Sequence, residues 1–277
     1  MEGGDMASQE QIQQYNEQGY FIADDAVAPE MLLPLTEATR RTADKVRSGE
    51  VVDNTDQIGT DGEGKNPVVI MGVMAPEFNE PIFAEYLASE PVERYVHPFL
   101  GEELQLGWVT VFAIQGSGYQ CGWHRDFGAE ERDGSYEVEM EILSRYRKNL
   151  LKWHTALVDD PCLWIVPGSQ RRYRTEQERE VLISNKGVGD IPGAKQIKLK
   201  QGQTIFWNGN TIHRGIMPAE MEERLTLCGC LVKHQANDPL ETLDERFRWR
   251  LADNVRDALP EKIQLYYDRW KRLQILD

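Results

Sequence analysis

From residue 104 onward the apolar positions recur every second residue, in short runs cut by glycine, proline and asparagine. No other feature restricts the possible folds as much. The runs are 104–114, 149–158, 163–166, 196–200, 204–207 and 225–232, separated by turns such as Pro167-Gly168-Ser169, Gln201-Gly202 and Asn208-Gly209-Asn210. Side chains on an extended strand alternate between two faces, so each run makes a strand with at least one buried face. Many short strands with such punctuation close into a sandwich or barrel rather than a doubly wound sheet. Two interruptions, 129–148 and 170–195, are charged, partly helical and too long for hairpin turns, which is the form lids and binding loops take.

The flanks read differently. Ser8 with Gln11 makes a capping box for a helix that Gly19 should stop. Residues 20–23 follow as a short strand, and Pro29 opens a second helix that runs to about Val46. Residues 48–66 read as a loop, 68–74 as a buried strand, and 82–87 and 92–99 as helices; His97 lies in the last of these and reads as structural. A helix over 243–255 and another beyond Pro260 close the chain. With no composition shift and no repeat, one domain is expected across 1–277. It comprises a loose leader (1–7), a mostly helical part (8–100), a β-rich core (104–234) and C-terminal helices (238–277).

Charge excludes some partners. With 31 Lys and Arg against 46 Asp and Glu, the net charge of −15 repels nucleic acid. No apolar run approaches the roughly eighteen residues of a membrane span. The polar, acidic start lacks a signal-peptide core, so the cytoplasm is the expected compartment. Cys228 and Cys230 alternate within an apolar run, which reads as buried strand cysteine rather than a metal knuckle.

His124-Arg125-Asp126 follows a glycine-rich approach (Gly116, Gly118, Gly122) and is bracketed by Trp123 and Phe127. On an extended backbone His124 and Asp126 leave the same face and can reach one point. The simpler reading is a surface histidine beside an Arg125–Asp126 ion pair. His213, at a strand end after Asn208-Gly209-Asn210, is the best third donor among five histidines. Two histidines and one carboxylate would make the facial triad of non-haem Fe(II) oxygenases, with three adjacent positions open. Arg224 lies eleven residues beyond His213, across a turn-like segment. On an adjoining antiparallel strand it would point into the same cavity, where its guanidinium could take the far carboxylate of a dicarboxylate chelating the metal through a 2-oxo acid. Its alternative is a surface pair with Glu220, Glu222 or Glu223.

Taken in order, Tyr15-x(4)-Tyr20-Phe-Ile, His124-Arg-Asp126, Cys162-Leu-Trp-Ile-Val-Pro-Gly-Ser169, Gly202-Gln-Thr-Ile-Phe-Trp207, His213 and Arg224 resemble the phytanoyl-CoA dioxygenase family of Fe(II)/2-oxoglutarate-dependent oxygenases over residues 8–234. The resemblance implies a mainly β fold with flanking α-helices around a double-stranded β-helix (jelly-roll, cupin-like) core. It implies Fe(II) held by His124, Asp126 and His213, 2-oxoglutarate anchored by Arg224, and O2 as oxidant. It also places His154 against the cosubstrate, with Lys152 on the same strand face; a hydrogen-bonded core histidine is the alternative there. The chain departs from the pattern at Gln170, where many members have His, and at Gly215, where some have Ser. Thr226 or Thr110 could compensate for the latter.

The expected reaction is hydroxylation of a small molecule with release of succinate and CO2. Asp126 argues against halogenation, because related halogenases lack this carboxylate. A non-redox cupin-like metalloenzyme or a non-catalytic binding protein of the same fold are the competing readings. Basic clusters at 145–148 and 171–174 could greet an anionic substrate, although solvated loop charges balancing Glu130, Glu131, Glu137, Glu139 and Glu141 are the simpler account.

Overall fold

A computed structural model describes residues 6–52, 58–60, 66–116, 118–126, 134–146 and 150–276. Helix α1 (Gln9–Gln18) begins on the Ser8–Gln11 capping box and ends at Gly19, whose φ of 86° is the left-handed geometry of a helix stop. Strand β1 (Tyr20–Ala23) and α2 (Pro29–Arg47, with Pro29 at its first turn) follow. Next come β2 (Ile58–Thr60), β3 (Pro67–Ile70), α3 (Ile82–Leu87) and α4 (Glu90–Leu100). The strand expected over 68–74 stops at Ile70, because Ala75 N–H bonds Gly72 and Phe78 N–H bonds Ala75 in successive turns that still bury Val73 and Phe78.

The β-rich part comprises β4 (Leu104–Gln115), β5 (Gln120–His124), β6 (Leu150–Ala156), β7 (Asp160–Ile165), β8 (Lys195–Leu199), β9 (Thr204–Trp207), β10 (His213–Ile216) and β11 (Glu223–Lys233). Helix α5 (Tyr136–Tyr146) occupies part of the first interruption, and α6 (Glu176–Arg179) part of the second. Seven strands form one sheet in the order β1-β9-β6-β11-β4-β3-β2, and four form another, β5-β10-β7-β8. All pairings in both are antiparallel. Two such sheets packed face to face make the jelly-roll expected above.

The two faces of the large sheet bury different partners. Its outer face carries Trp153, Leu227 and Phe206 into one apolar cluster with Phe21, Tyr86 and Tyr95 from the N-terminal part and with Ile263 and Tyr267. The inner face meets the small sheet through Ala156, Ile205 and Trp207 against Leu163, Ile165, Ile197 and Leu199. Gly229 in β11 is required by close approach, since a Cβ there would stand 2.2 Å from the Trp153 ring. Gly229→Ala is therefore expected to destabilise the fold by about 1–3 kcal/mol, read as a lower urea midpoint at unchanged slope.

The C-terminal part departs from expectation. The period over 243–255 suits an α-helix, but residues Glu245–Leu251 form a 3-10 helix, followed by α7 (Val255–Ala258) and α8 (Glu261–Arg272). At three residues per turn Phe247 and Arg250 share a face. That face lets Arg250, buried against Phe247 and Trp270, donate to the Gly107 carbonyl. Among the described residues no helix is long and apolar enough to cross a membrane.

Candidate functional site

Strands β5 and β10 are neighbours in the small sheet, and their register sets His124 directly opposite His213. Directly opposed residues project from one face, and here the two imidazole centres lie 4.1 Å apart. Asp126 comes two residues past His124, its own N–H bonded to the Gly209 carbonyl at 2.8 Å. His124, Asp126 and His213 thus place one donor atom each within 4.8 Å of one another.

The backbone decides which ring nitrogens face the centre. His124 Nδ1 lies 2.7 Å from the Gly122 carbonyl, and His213 Nδ1 lies 2.8 Å from that of Thr211. A carbonyl only accepts, so each Nδ1 carries the proton and each Nε2 keeps its lone pair. Those Nε2 atoms stand 3.8 and 3.4 Å from Asp126 Oδ1. Burial depresses the His213 pKa to about 4, which keeps the ring neutral at neutral pH. Burial alone would raise the Asp126 carboxyl, but the adjacent Lys152 ammonium holds it well below the ordinary carboxylate range. The donor set is that of a divalent metal with open coordination positions. The alternative of an Arg125–Asp126 pair is not what the described residues show. Arg125 bonds Glu139 and the Ser169 carbonyl, and Asp126 Oδ2 accepts from Lys152 Nζ at 2.6 Å.

A wall of rings connects this centre to Arg224. Trp207 lies 4.2 Å from His213 and 5.2 Å from His154; Phe112 lies 5.7 Å from His154; and the Arg224 guanidinium stacks 4.8 Å above Phe112. Register places Thr110, Cys228 and His154 side by side on three adjacent strands. The buried Thr110 Oγ1, both ring nitrogens of His154 and Trp207 Nε1 have no hydrogen-bond partner among the described residues. Buried polar atoms seldom stay unpaired, so this wall is built to receive a polar ligand or ordered water. Burial, with Lys152 and Arg224 nearby, pushes the His154 pKa well down, so its ring is neutral.

Arg224 is 2% exposed and pairs through Nε with Asp160 Oδ2 at 3.0 Å, not with the glutamates of the preceding turn. Burial would neutralise both partners, yet their attraction keeps the Asp160 carboxyl down at about 2 and raises the guanidinium. Thr226 donates to the same Asp160 oxygen at 2.5 Å, so it supports the partner of Arg224. Gly215 has its own explanation: a Cβ there would lie 2.9 Å from the Tyr119 ring, over which the Arg224 guanidinium stands 5.4 Å from the ring centre. Asp160 and Tyr119 escape sequence reasoning, since neither belongs to a motif and both reach Arg224 only through the packing of the sheets.

The remaining candidates have structural roles. Gln170 donates to the Asn16 carbonyl, tying the turn after β7 to α1. His97 hydrogen-bonds Gly101 at the end of α4. In the basic cluster at 171–174, the partly exposed Arg172 bonds Glu178, and Arg174 is balanced by Glu139 at 2.8 Å but is buried with it rather than solvated. The side chains of the cluster at 145–148 and the residues Phe127, Glu130 and Glu131 lie outside the described residues. Cys228 and Cys230 are buried on β11 as expected.

A family model described as phytanoyl-CoA dioxygenase (PhyH) matches residues 15–216. Among solved structures the chain is similar to EctD from S. alaskensis with bound Fe (TM-score 0.62, 18% identity, 81% of this chain and 76% of that one). The same protein with 2-oxoglutarate and 5-hydroxyectoine gives a TM-score of 0.61 at 18% identity, with 82% and 77% covered. HygX from Streptomyces hygroscopicus, with nickel and 2-oxoglutarate bound, gives 0.57 at 11% identity over 86% and 91%. SnoN, a non-heme alpha ketoglutarate dependent epimerase from nogalamycin biosynthesis, gives 0.50 at 16% over 81% and 80%. Curated proteins yield no match.

Proposed function

Because the chain belongs to the phytanoyl-CoA dioxygenase family of Fe(II)/2-oxoglutarate-dependent oxygenases, we propose that it hydroxylates a small molecule at a C–H bond, with His124, Asp126 and His213 as the iron ligands. The observation that carries this reading is the opposed pair of Nε2 lone pairs converging with Asp126 Oδ1. Fe(II), 2-oxoglutarate and O2 together supply the oxidant that removes the C–H hydrogen, the cosubstrate leaving as succinate and CO2. The residues do the rest. The two carbonyl-held imidazoles and Asp126 would hold the ion, and as a three-donor set they would leave it able to bind the 2-oxo acid and O2. Arg224, immobilised by Asp160, takes the far carboxylate as a two-point donor. His154 and Thr110 offer the unpaired polar atoms of the wall to the cosubstrate, with Trp207 excluding water between them and the metal.

Hydroxylation is chosen over other C–H outcomes because Asp126 fills the position a halide would need, and nothing in the ligand set demands a second reaction. That SnoN is an epimerase keeps stereochemical inversion as the competing outcome for a related site. Anaerobic addition of Fe(II) and 2-oxoglutarate should give the weak visible charge-transfer band of the chelate. Admitting O2 with a metabolite panel should then release succinate together with a product heavier by one oxygen atom. Absence of both band and succinate would dismiss the oxygenase; succinate coupled to an isomer of unchanged mass would replace hydroxylation by epimerisation.

A further inference from the structure

Lys152 has no role in the assignments above, yet it is the cation that touches the metal-binding carboxylate. It leaves β6 two residues before His154, on the face turned inward. Its Nζ lies 2.6 Å from Asp126 Oδ2 and 4.4 Å from the centre of the Trp207 ring, and its side chain is 12% exposed. Asp126 therefore divides its oxygens: Oδ1 faces the two imidazoles and Oδ2 faces the ammonium. A carboxylate with both oxygens available can close on a metal through both. With Oδ2 held, only Oδ1 is offered, and a coordination position stays open.

Charge leads to the same residue. Asp160 already compensates Arg224, so that pair brings no net charge to the pocket. A divalent ion with the Asp126 carboxylate carries one positive charge, and a bound dicarboxylate turns this into one negative charge in surroundings where charge is costly. The Lys152 ammonium restores neutrality.

We propose that Lys152 is a positioning residue that holds Asp126 to one-oxygen ligation and supplies the charge that balances the 2-oxoglutarate dianion. The inference rests on the oxygenase reading given above. It predicts a separation of two affinities that a merely structural lysine would not produce. Three variants test it: Lys152→Met, Lys152→Gln (a donor without charge) and Lys152→Arg, each checked for folding by circular dichroism. Anaerobic calorimetry measures Fe(II) binding without cosubstrate, and the charge-transfer band of the Fe(II)-loaded protein measures 2-oxoglutarate binding.

The Met and Gln variants should bind Fe(II) no more than threefold more weakly than the parent, because a neighbouring positive charge has been removed. They should bind 2-oxoglutarate about tenfold more weakly or worse. The Arg variant should recover the 2-oxoglutarate affinity to within about threefold, since it restores the charge. If the Met variant fails to fold, the Gln variant gives the same reading. A 2-oxoglutarate affinity in the neutral variants within twofold of the parent, or an equal loss in the Arg variant, overturns the proposal. Should the parent itself give no band, the oxygenase reading falls and takes this inference with it. A parent band with unaltered neutral variants removes the inference alone.

Discussion

Asp126→Ala should abolish Fe(II) binding in calorimetry and reduce O2-dependent succinate formation by at least about a thousandfold, a barrier increase of roughly 4 kcal/mol. It removes the only anionic donor of the triad. The same substitution strands the Lys152 ammonium, which is buried against that carboxylate. Breaking one side of a buried pair costs about 3–5 kcal/mol, so the variant should also melt well below the parent. The two losses are separable. Asp126→Ala combined with Lys152→Met removes both charges and should regain most of the stability while binding no iron.

The pH dependence carries the same signature. In the parent, Lys152 is raised by Asp126 despite its burial. Its contribution is complete below the unfolded lysine pKa, near 10.4, and is lost only as pH rises through the still higher folded value. In Asp126→Ala, burial acts unopposed and lowers the folded pKa. The variant should therefore gain stability between about pH 7 and 10, where the parent gains none from this group. A variant that keeps iron and activity within tenfold of the parent would dismiss the triad.

How much of this was legible beforehand depends on whether a residue's partner is local. His124 and Asp126 are legible because i and i+2 on a strand share a face, and that geometry needs no tertiary information. Arg224 is legible because a turn and an antiparallel return fix which side of β11 it leaves. The capping box at Ser8 and the stop at Gly19 are local for the same reason, and both are found where expected.

Lys152 appears only as a residue on the right strand face, since its partner Asp126 lies twenty-six positions away, just beyond β5 of the other sheet. Asp160, sixty-four positions from Arg224, carries no signal at all. Strands β5 and β10 are missing from the alternating apolar runs, because four or five residues containing Gly and His offer no apolar period. They are strands because each supplies the other's ladder, and β10 is also held by β7. The 243–255 segment failed in the opposite sense. Its apolar spacing suited a helix, but a buried arginine requiring Gly107 as acceptor selected the tighter coil.

Arg224→Met should raise the 2-oxoglutarate requirement at least thirtyfold while leaving Fe(II) bound. Removing one partner of a buried charge contact costs about 2–5 kcal/mol, and 1.4 kcal/mol is a tenfold change in affinity. The metal donors lie beyond the Trp207 and His154 rings and make no contact with the guanidinium among the bonds described, so they should keep their geometry. The variant also leaves Asp160 buried with Thr226 and the Cys162 N–H as its remaining donors.

In the parent the Asp160 carboxyl is held at about 2, below its ordinary value. Its contribution is therefore complete above about pH 4 and is lost as pH falls through about 2. Without the guanidinium, burial dominates and raises that pKa. Arg224→Met should then be stabilised by mild acid, with its melting temperature rising between about pH 7 and 5, the reverse of the parent's trend for this group. Adding Asp160→Asn should remove the pH effect and restore stability without restoring 2-oxoglutarate binding. Recovery of binding in that double variant would show that Arg224 acts only by keeping the fold, and the anchor would have to be sought elsewhere on the wall.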